Sequence, residues 1–433
     1  MIRTADTQSA SFLSARQVCA ALDIQPATLY SYVSRGLIRS EETKSTRRER
    51  RYAAEDVARL IAKKQNRRDP DVTAAKAARE SLKWGVPVME STLTLIQDGR
   101  VYYRGRDAVE LARENSFEDV AMVLWSDPSP LSQGRENKTD VFALGRTWAV
   151  IPTPWSEISG HMTIIDRMID TLTGIEQRMG EVPMEIEGAR LIWSLTLTAG
   201  TPYLDAMPLL TWVMQDQIAP EEPIAELLAR MWSLEDARLI DAALILCADH
   251  ELNASAFAVR VAASTDADLP HALIAGLATL SGGKHGGATA HTRALITHIE
   301  SPEQARGLVT AVLNRGERVP GFGHHLYPHG DPRGRALLQM IRDAYRDSDV
   351  IAVVDAICAA MLDLTGLHPN IDLALSALEL AADLPESSAL ALFALGRSAG
   401  WIAHAMEQYA EGTLIRPRAA YVGKMPSPPA SLR

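Results

Sequence analysis

The stretch "VPGFGHHLYPHGDPRGRAL", Val319 to Leu337, decides how the rest of the chain is read. It gathers three histidines, two arginines, an aspartate and four glycines into nineteen positions. The flanking sequence is helical in pattern, so Gly, Pro and His together mark an interruption that helix formation does not need. Three readings compete: a metal site, a His-rich surface loop, or a substrate pocket needing backbone freedom beside imidazole and guanidinium groups. The metal reading would use His324, His325 and His329, since residues i and i+4 share a helix face. Pro328 and Gly330 break such a helix, and no acidic or Cys cluster completes a coordination shell, so no metal is expected.

Outward from this stretch the pattern is overwhelmingly helical. "DAVELARENSFEDVAMVLW" (107–125), "DARLIDAALILCADH" (236–250), "ASAFAVRVAAS" (254–264) and "ALALFALGRSAGWIAHAMEQYAEG" (389–412) repeat apolar residues at i, i+3 and i+4. One exception stands at 88–105, "VMESTLTLIQDGRVYYRG", where alternation around Asp98-Gly99 predicts a β-hairpin. The expected class is an all-α body with one small hairpin. No Walker loop occurs, and no G-x-G-x-x-G follows a strand, which argues against nucleotide binding of the α/β kind.

The chain has 433 residues, 47% apolar and 23% charged, enough for two or three domains. No apolar stretch is long enough to span a bilayer, and the N-terminus lacks the apolar run of a secretory signal. A cytoplasmic protein with no membrane partner is the expectation. Cys19, Cys247 and Cys358 lie far apart without ligand spacing, so they read as small buried hydrophobes. The net charge of −10 conceals an asymmetry: residues 1–70 hold 14 Lys/Arg against 8 Asp/Glu, a surplus of +6, so the remainder carries −16. A basic head on an acidic body suggests two modules with different partners.

In the head, Ser14 is a candidate N-cap, with Val18, Ala21 and Leu22 as an apolar stripe. Pro26 suits the first position of a second helix carrying Leu29, Tyr30 and Val33 and ending at Gly36. A basic loop, "KSTRRERRY", and a third helix follow. Residues 1–68 resemble the winged helix-turn-helix of the MerR and excisionase type. That resemblance implies Ser31, Tyr32, Ser34 and Arg35 in a DNA groove, with Arg47, Arg48, Arg50 and Arg51 on phosphates. A solvated basic face on a protein-docking module is the alternative. Residues 69–84 read as a charged helical connector.

Further polar clusters interrupt the body: "ADHELNAS" (248–255), "GGKHGGA" (282–288), "LHPNIDLALSA" (367–377), "GRSAGW" (396–401) and "LIRPRAAYVG" (414–423). Singly, each has a dull account as a cap, a core imidazole or a solvated tail. In this order, with the opening stretch, they resemble citrate synthase, and the resemblance runs from about residue 85 to the end. It implies a large helical domain (85–269 and 379–433) interrupted by a small one (270–378) that closes over the substrates.

The resemblance also implies roles. Asp372 is the base and His285 the hydrogen-bond donor to the thioester oxygen. His324 polarises the ketone of oxaloacetate and protonates it. Arg333, Arg397 and Arg416 hold the substrate carboxylates, helped by His250. Val319, Gly321, Phe322 and Gly323 meet the CoA adenine, and Arg416 reaches across a homodimer interface. The activity implied is condensation of acetyl-CoA with oxaloacetate, as in the tricarboxylic acid cycle, with acetyl-CoA as substrate and no cofactor.

Two positions depart from the family pattern. Gly283-Lys284 stands where Gly-Pro and a small or apolar residue usually precede the donor histidine, and His325 replaces a frequent Arg. Lys284 is expected to favour neutral His285 or to contact CoA phosphates. Both departures bear on the acyl group more than on the reaction. A 2-methylcitrate synthase using propionyl-CoA, or a metabolite-sensing DNA-binding regulator on a synthase-like body, are the alternatives.

Overall fold

The computed structural model describes residues 12–22, 24–34, 37–42, 50–53, 56–57, 87–126, 138–149, 162–175, 182–200 and 222–424. The chain divides into two compact units, Met1–Glu90 and Ser91–Arg433.

In the first unit β1 (Phe12–Ser14) runs into α1 (Ala15–Leu22), α2 (Pro26–Ser34) follows, and β2 (Ser40–Glu42) and β3 (Arg50–Ala53) complete a sheet ordered β1-β3-β2. Ser14 caps α1 as expected. Its Oγ accepts from Gln17 N at 3.4 Å, while Gln17 Oε1 accepts from Ser14 N at 2.9 Å, a reciprocal capping box. Pro26 opens α2, where its missing N–H costs nothing. Val18, Leu22, Leu29, Ile38, Tyr52 and Val57 form a small core of their own. The basic run expected as a loop is partly strand: Arg50 and Arg51 stay exposed on β3 while Tyr52 turns into the core. Tyr32 packs against that core, so only part of its ring faces outward. Arg35, Arg47 and Arg48 lie outside the described residues, as does the third helix beyond Val57.

The second unit opens with the expected hairpin. β4 (Thr94–Gln97) and β5 (Arg100–Tyr103) pair antiparallel with Gln97 opposite Arg100, and β6 (Arg106–Asp107) adds a third strand. Asp98 and Gly99 both take positive φ, 52° and 73°, as a two-residue type I′ turn demands.

Helices account for nearly everything else: α3 (Ala108–Glu114), α4 (Phe117–Trp125), α5 (Lys138–Thr147), α6 (Ile164–Thr173), α7 (Met184–Gly200), α8 (Ile224–Met231), α9 (Ala237–Cys247), α10 (Ala254–Ala263), α11 (Leu269–Leu280), α12 (Ala288–Thr297), α13 (Pro302–Asn314), α14 (Pro332–Ala344), α15 (Asp349–Thr365), α16 (Ile371–Ala381) and α17 (Ser388–Glu411).

The centre of this unit is α17, 24 residues long and buried on nearly every face through its first five turns. A helix apolar all round belongs inside a protein. Here α4, α7, α9, α10 and α11 pack around it, with Trp401 and Trp193 among the largest fully buried side chains. The hairpin is fastened to the same core, because the buried Tyr103 hydroxyl lies 3.0 Å from Ile245 O and 3.1 Å from Asp249 O, at the end of α9. Among the described residues no helix is long and apolar enough to cross a membrane.

Candidate active site

Four helix ends and one central helix supply the polar side chains singled out in the sequence. At the first end, α9 stops at Cys247 and the chain turns through Asp249, His250 and Glu251. Asn253 then caps α10 by accepting from Ser255 N and Ala256 N. His250 is 8% exposed, and its Nε2 lies 2.8 Å from the Tyr327 hydroxyl. Burial first, then Arg333 and Arg397, push its pKa well below the ordinary value, so it is neutral.

His285 sits in the glycine-rich turn between α11 and α12. Its Nε2 is 2.9 Å from Ser255 Oγ, and its ring meets Phe393 edge-on at 6.0 Å. Burial, then Arg397, lowers its pKa to about 4. The neutral form expected here therefore owes to burial and a guanidinium. Lys284, expected to supply that effect, is exposed.

The loop that opened the sequence is laced to the segment before α16. Gly323 N donates to His368 O at 2.8 Å, and Asn370 N donates to Gly321 O at 2.9 Å. Gly321 has φ +82°, and a Cβ there would lie 2.9 Å from Thr292 Cγ2, so glycine is required twice over. The lacing sets His324 and Asp372 on neighbouring strands of chain.

His324 Nδ1 accepts the Leu326 N–H at 3.1 Å. Burial, followed by Arg333, drops its pKa to about 4, so the ring is neutral with its proton on Nε2. The ring stands 5.2 Å from that of His250 and 4.7 Å from that of Tyr327.

Asp372 lies in the first turn of α16, capped by Asn370 Oδ1, which accepts from Asp372 N at 3.0 Å. Burial raises its pKa to about 6, against the pull of Arg333. Among the described residues no hydrogen bond or ion pair engages its carboxylate. Asp372 is half-buried, and Arg333 and Arg397 act on its charge without bonding to it among the described residues.

Two guanidiniums complete the cluster, each under 3% exposed. Arg333 is clamped by Asp331, with Nε to Oδ1 at 3.0 Å and Nη2 to Oδ2 at 2.8 Å, and Asp331 Oδ2 also accepts from Ile371 N at 3.3 Å. One carboxylate thus orients Arg333 and the helix bearing Asp372. Asp331 thus takes only part of the Arg333 fork, and among the described residues no hydrogen bond engages its Nη1 edge. Arg397 donates Nε to Cys247 O at 2.7 Å and lies 5.0 Å over Phe393. Among the described residues no carboxylate is within ion-pair distance of Arg397.

Val319, Gly321, Phe322 and Gly323 lie together on the laced loop, with Val319 and Gly321 buried and the other two half-buried. Arg416 is not brought to the cluster: it is exposed on the extended segment 412–424, and among the described residues no contact ties it to the other site groups. His325 and His329 are exposed. Among the described residues no group of three or more His, Cys, Asp or Glu side chains could hold a metal ion.

Sequence reasoning missed Tyr327, which touches His250 and His324 and has Arg333 5.9 Å over its ring. It also missed Ser255, the partner of His285. Tyr327 stood in the opening stretch, yet a tyrosine on an irregular loop carries no periodic signal.

The family described as "Citrate synthase, C-terminal domain" matches residues 81–418. Citrate synthase of Haloferax volcanii is 30% identical over 358 residues, covering 78% of this chain and 94% of that protein. The chain belongs to the citrate synthase family. The chain is also 28% identical over 340 residues to 2-methylcitrate synthase 1 of Corynebacterium glutamicum, covering 74% of this chain and 88% of that one. Citrate synthase of Thermotoga maritima has the same fold, with TM-score 0.66, 26% identity and coverage of 81% of this chain and 98% of that one. The family described as "MerR HTH family regulatory protein" matches residues 13–67.

The two lowered imidazoles predict how stability depends on pH. Both titrate at about 4 when folded against 6.5 ordinarily, so between these values the unfolded chain binds more protons. Their contribution is full above about pH 6.5 and is lost as pH falls toward 4. Urea unfolding across this window should show a shallower slope for His285→Gln/His324→Gln than for the parent. Parallel slopes would contradict the assigned burial.

Proposed function

We propose that this protein condenses acetyl-CoA with oxaloacetate through Asp372, His285 and His324. The observation that carries the reading is the buried Arg397, a guanidinium with no carboxylate partner among the described residues and its two Nη groups uncommitted. A charge held out of water needs an opposite one, and a dicarboxylate substrate between Arg397 and the open edge of Arg333 supplies it.

The chemistry then divides among the groups. The Asp372 carboxylate removes a proton from the acetyl methyl group, a demanding step that its raised pKa eases. The enolate oxygen that forms takes a hydrogen bond from His285. Neutral imidazole has one N–H, and the Ser255 hydroxyl proton has two acceptors in reach, Asn253 Oδ1 at 2.7 Å and His285 Nε2 at 2.9 Å. The donor role requires that the Ser255 hydroxyl donate to the Nε2 lone pair, leaving Nδ1–H for the thioester oxygen. The methylene carbon then attacks the ketone carbon of oxaloacetate, whose oxygen is polarised and protonated by His324 Nε2–H. Water cleaves the resulting thioester to citrate and free CoA. None of these steps calls on a metal or cofactor.

CoA would meet the loop Val319–Gly323, with Lys284 free to reach its phosphates. The segment 270–378 would act as the small domain, with the glycines around His285 serving its closure. A homodimer is the proposed assembly. Leu414, Tyr421 and Val422 are exposed on the segment that carries Arg416, which fits an arm reaching a second subunit.

The head supports a second reading beside the first. Its match to MerR regulators and the exposed Arg50 and Arg51 favour duplex DNA as its partner. Mobility-shift assays should then show salt-dependent binding that Arg50→Ala/Arg51→Ala weakens. Indifference of the shift to both changes would leave the head as a protein-docking module.

Thiol release measured with purified protein should depend on oxaloacetate and be faster with acetyl-CoA than with propionyl-CoA. One methylene discriminates by only about 1–3 kcal/mol in an apolar pocket, so faster release from propionyl-CoA would transfer the assignment to 2-methylcitrate. Asp372→Ala should bind oxaloacetate but turn over neither thioester. No oxaloacetate-dependent release from either would end the catalytic reading.

A further inference from the structure

Helix α17 does more than present Arg397. Three of its residues on one face, at i, i+3 and i+7, grip three consecutive residues at the end of α9. Arg397 Nε donates to Cys247 O at 2.7 Å, Gly400 N donates to Ala248 O at 3.0 Å, and His404 Nε2 lies 3.3 Å from Asp249 Oδ1. The next residue in the chain is His250. Gly400 lets the two segments approach this closely: a Cβ there would sit 2.4 Å from Ala248 O and 2.5 Å from Asp249 Oδ1.

The last rung of this row is unlike the others. Asp249 and His404 are both 0% exposed. The second carboxylate oxygen, Oδ2, accepts the Thr94 hydroxyl from β4 at 2.5 Å, so Asp249 is held from the helix on one side and the hairpin on the other. His404 is poorly satisfied for a buried imidazole. Its contact with Asp249 is close but not aligned as a hydrogen bond, and Nδ1 has no partner among the described residues. A group buried for stability alone is normally fully bonded, and an apolar pair of similar volume commonly does as well. What the pair does achieve is geometric. It completes the row that starts at Arg397 and ends one residue before His250.

We propose that Asp249 and His404 are a positioning pair that fixes His250 relative to Arg397, and so governs binding of the keto-diacid rather than of the thioester. This rests on the reading of His250 and Arg397 as oxaloacetate ligands. Neither residue of the pair touches substrate. The pair acts through the chain segment between them and the imidazole, where a displacement of about 1 Å is enough to cost roughly 100-fold in turnover efficiency.

Steady-state kinetics on the full chain test this. Asp249→Asn and His404→Gln should each raise the oxaloacetate KM by roughly 10-fold, with the acetyl-CoA KM changed by less than about twofold. The double variant should do no more damage than the worse single one, since the two act as a unit. Thr94→Val, a milder change at the half-buried end, should shift the oxaloacetate KM in the same direction by less, and it keeps the test alive if the buried replacements do not fold.

Equal changes in both KM values, additive losses in the double variant, or lowered thermal stability with unchanged kinetics would each overturn the proposal. His250→Ala separates the two levels. If it raises the oxaloacetate KM while the pair variants do not, only the positioning role fails. If it leaves that KM unaltered, the underlying ligand assignment fails with it.

Discussion

A buried guanidinium with no ion-pair partner among the described residues, that of Arg397, is the constraint from which the proposed site follows. Arg397 sits on the largely buried α17 and spends one N–H on a backbone carbonyl. Among the described residues no ion pair answers its charge, although Asp249 offsets part of the cost of burial, and the proposed dicarboxylate substrate would supply the missing counter-charge. The same positive field and the same burial act on every titratable neighbour. His250, His285 and His324 are held neutral, so each has one N–H to give and one lone pair to fill. Burial pushes the Asp372 carboxyl up to about 6, against the pull of Arg333 and Arg397. Burial, with the guanidiniums acting alongside it on the imidazoles, therefore sets the neutral histidines and the more basic carboxylate that the proposed mechanism uses.

The fold delivers these groups by packing rather than by a shared motif. Two irregular loops, one ending in His324 and one leading to Asp372, are stitched to each other by backbone hydrogen bonds and joined by Asp331, which also clamps Arg333. The turn bearing His250 is gripped by α17, and His285 leans on Ser255 at the start of α10. His250, His285, Arg333 and Asp372 sit at helix ends, His324 on the loop between α13 and α14, and Arg397 within α17.

Much of this could be read from the chain. The period of apolar residues identified the helices, and Asp98-Gly99 identified the hairpin, since both signals rest on local geometry. The order of six polar clusters pointed to the family before any coordinate was known. Three things were not legible. The wing of the head read as a loop because "RRERRY" shows charge and not alternation, yet Tyr52 turns inward from its last turn of sequence and makes part of that run a strand. The neutral state of His285 was ascribed to Lys284, its sequence neighbour, when the causes are burial and Arg397, more than a hundred residues away. Tyr327 and Ser255 gained roles only from tertiary contacts that spacing does not encode.

Direct titration of Asp372 tests the central claim. Carboxyl signals followed by infrared difference spectroscopy, parent minus Asp372→Asn, isolate that one group among the acidic residues. The account predicts a midpoint at about 6 in the unliganded enzyme. A midpoint near the ordinary 3.8 would mean that the carboxylate is solvated, and would contradict the water-poor, charge-tuned cavity on which the mechanism depends.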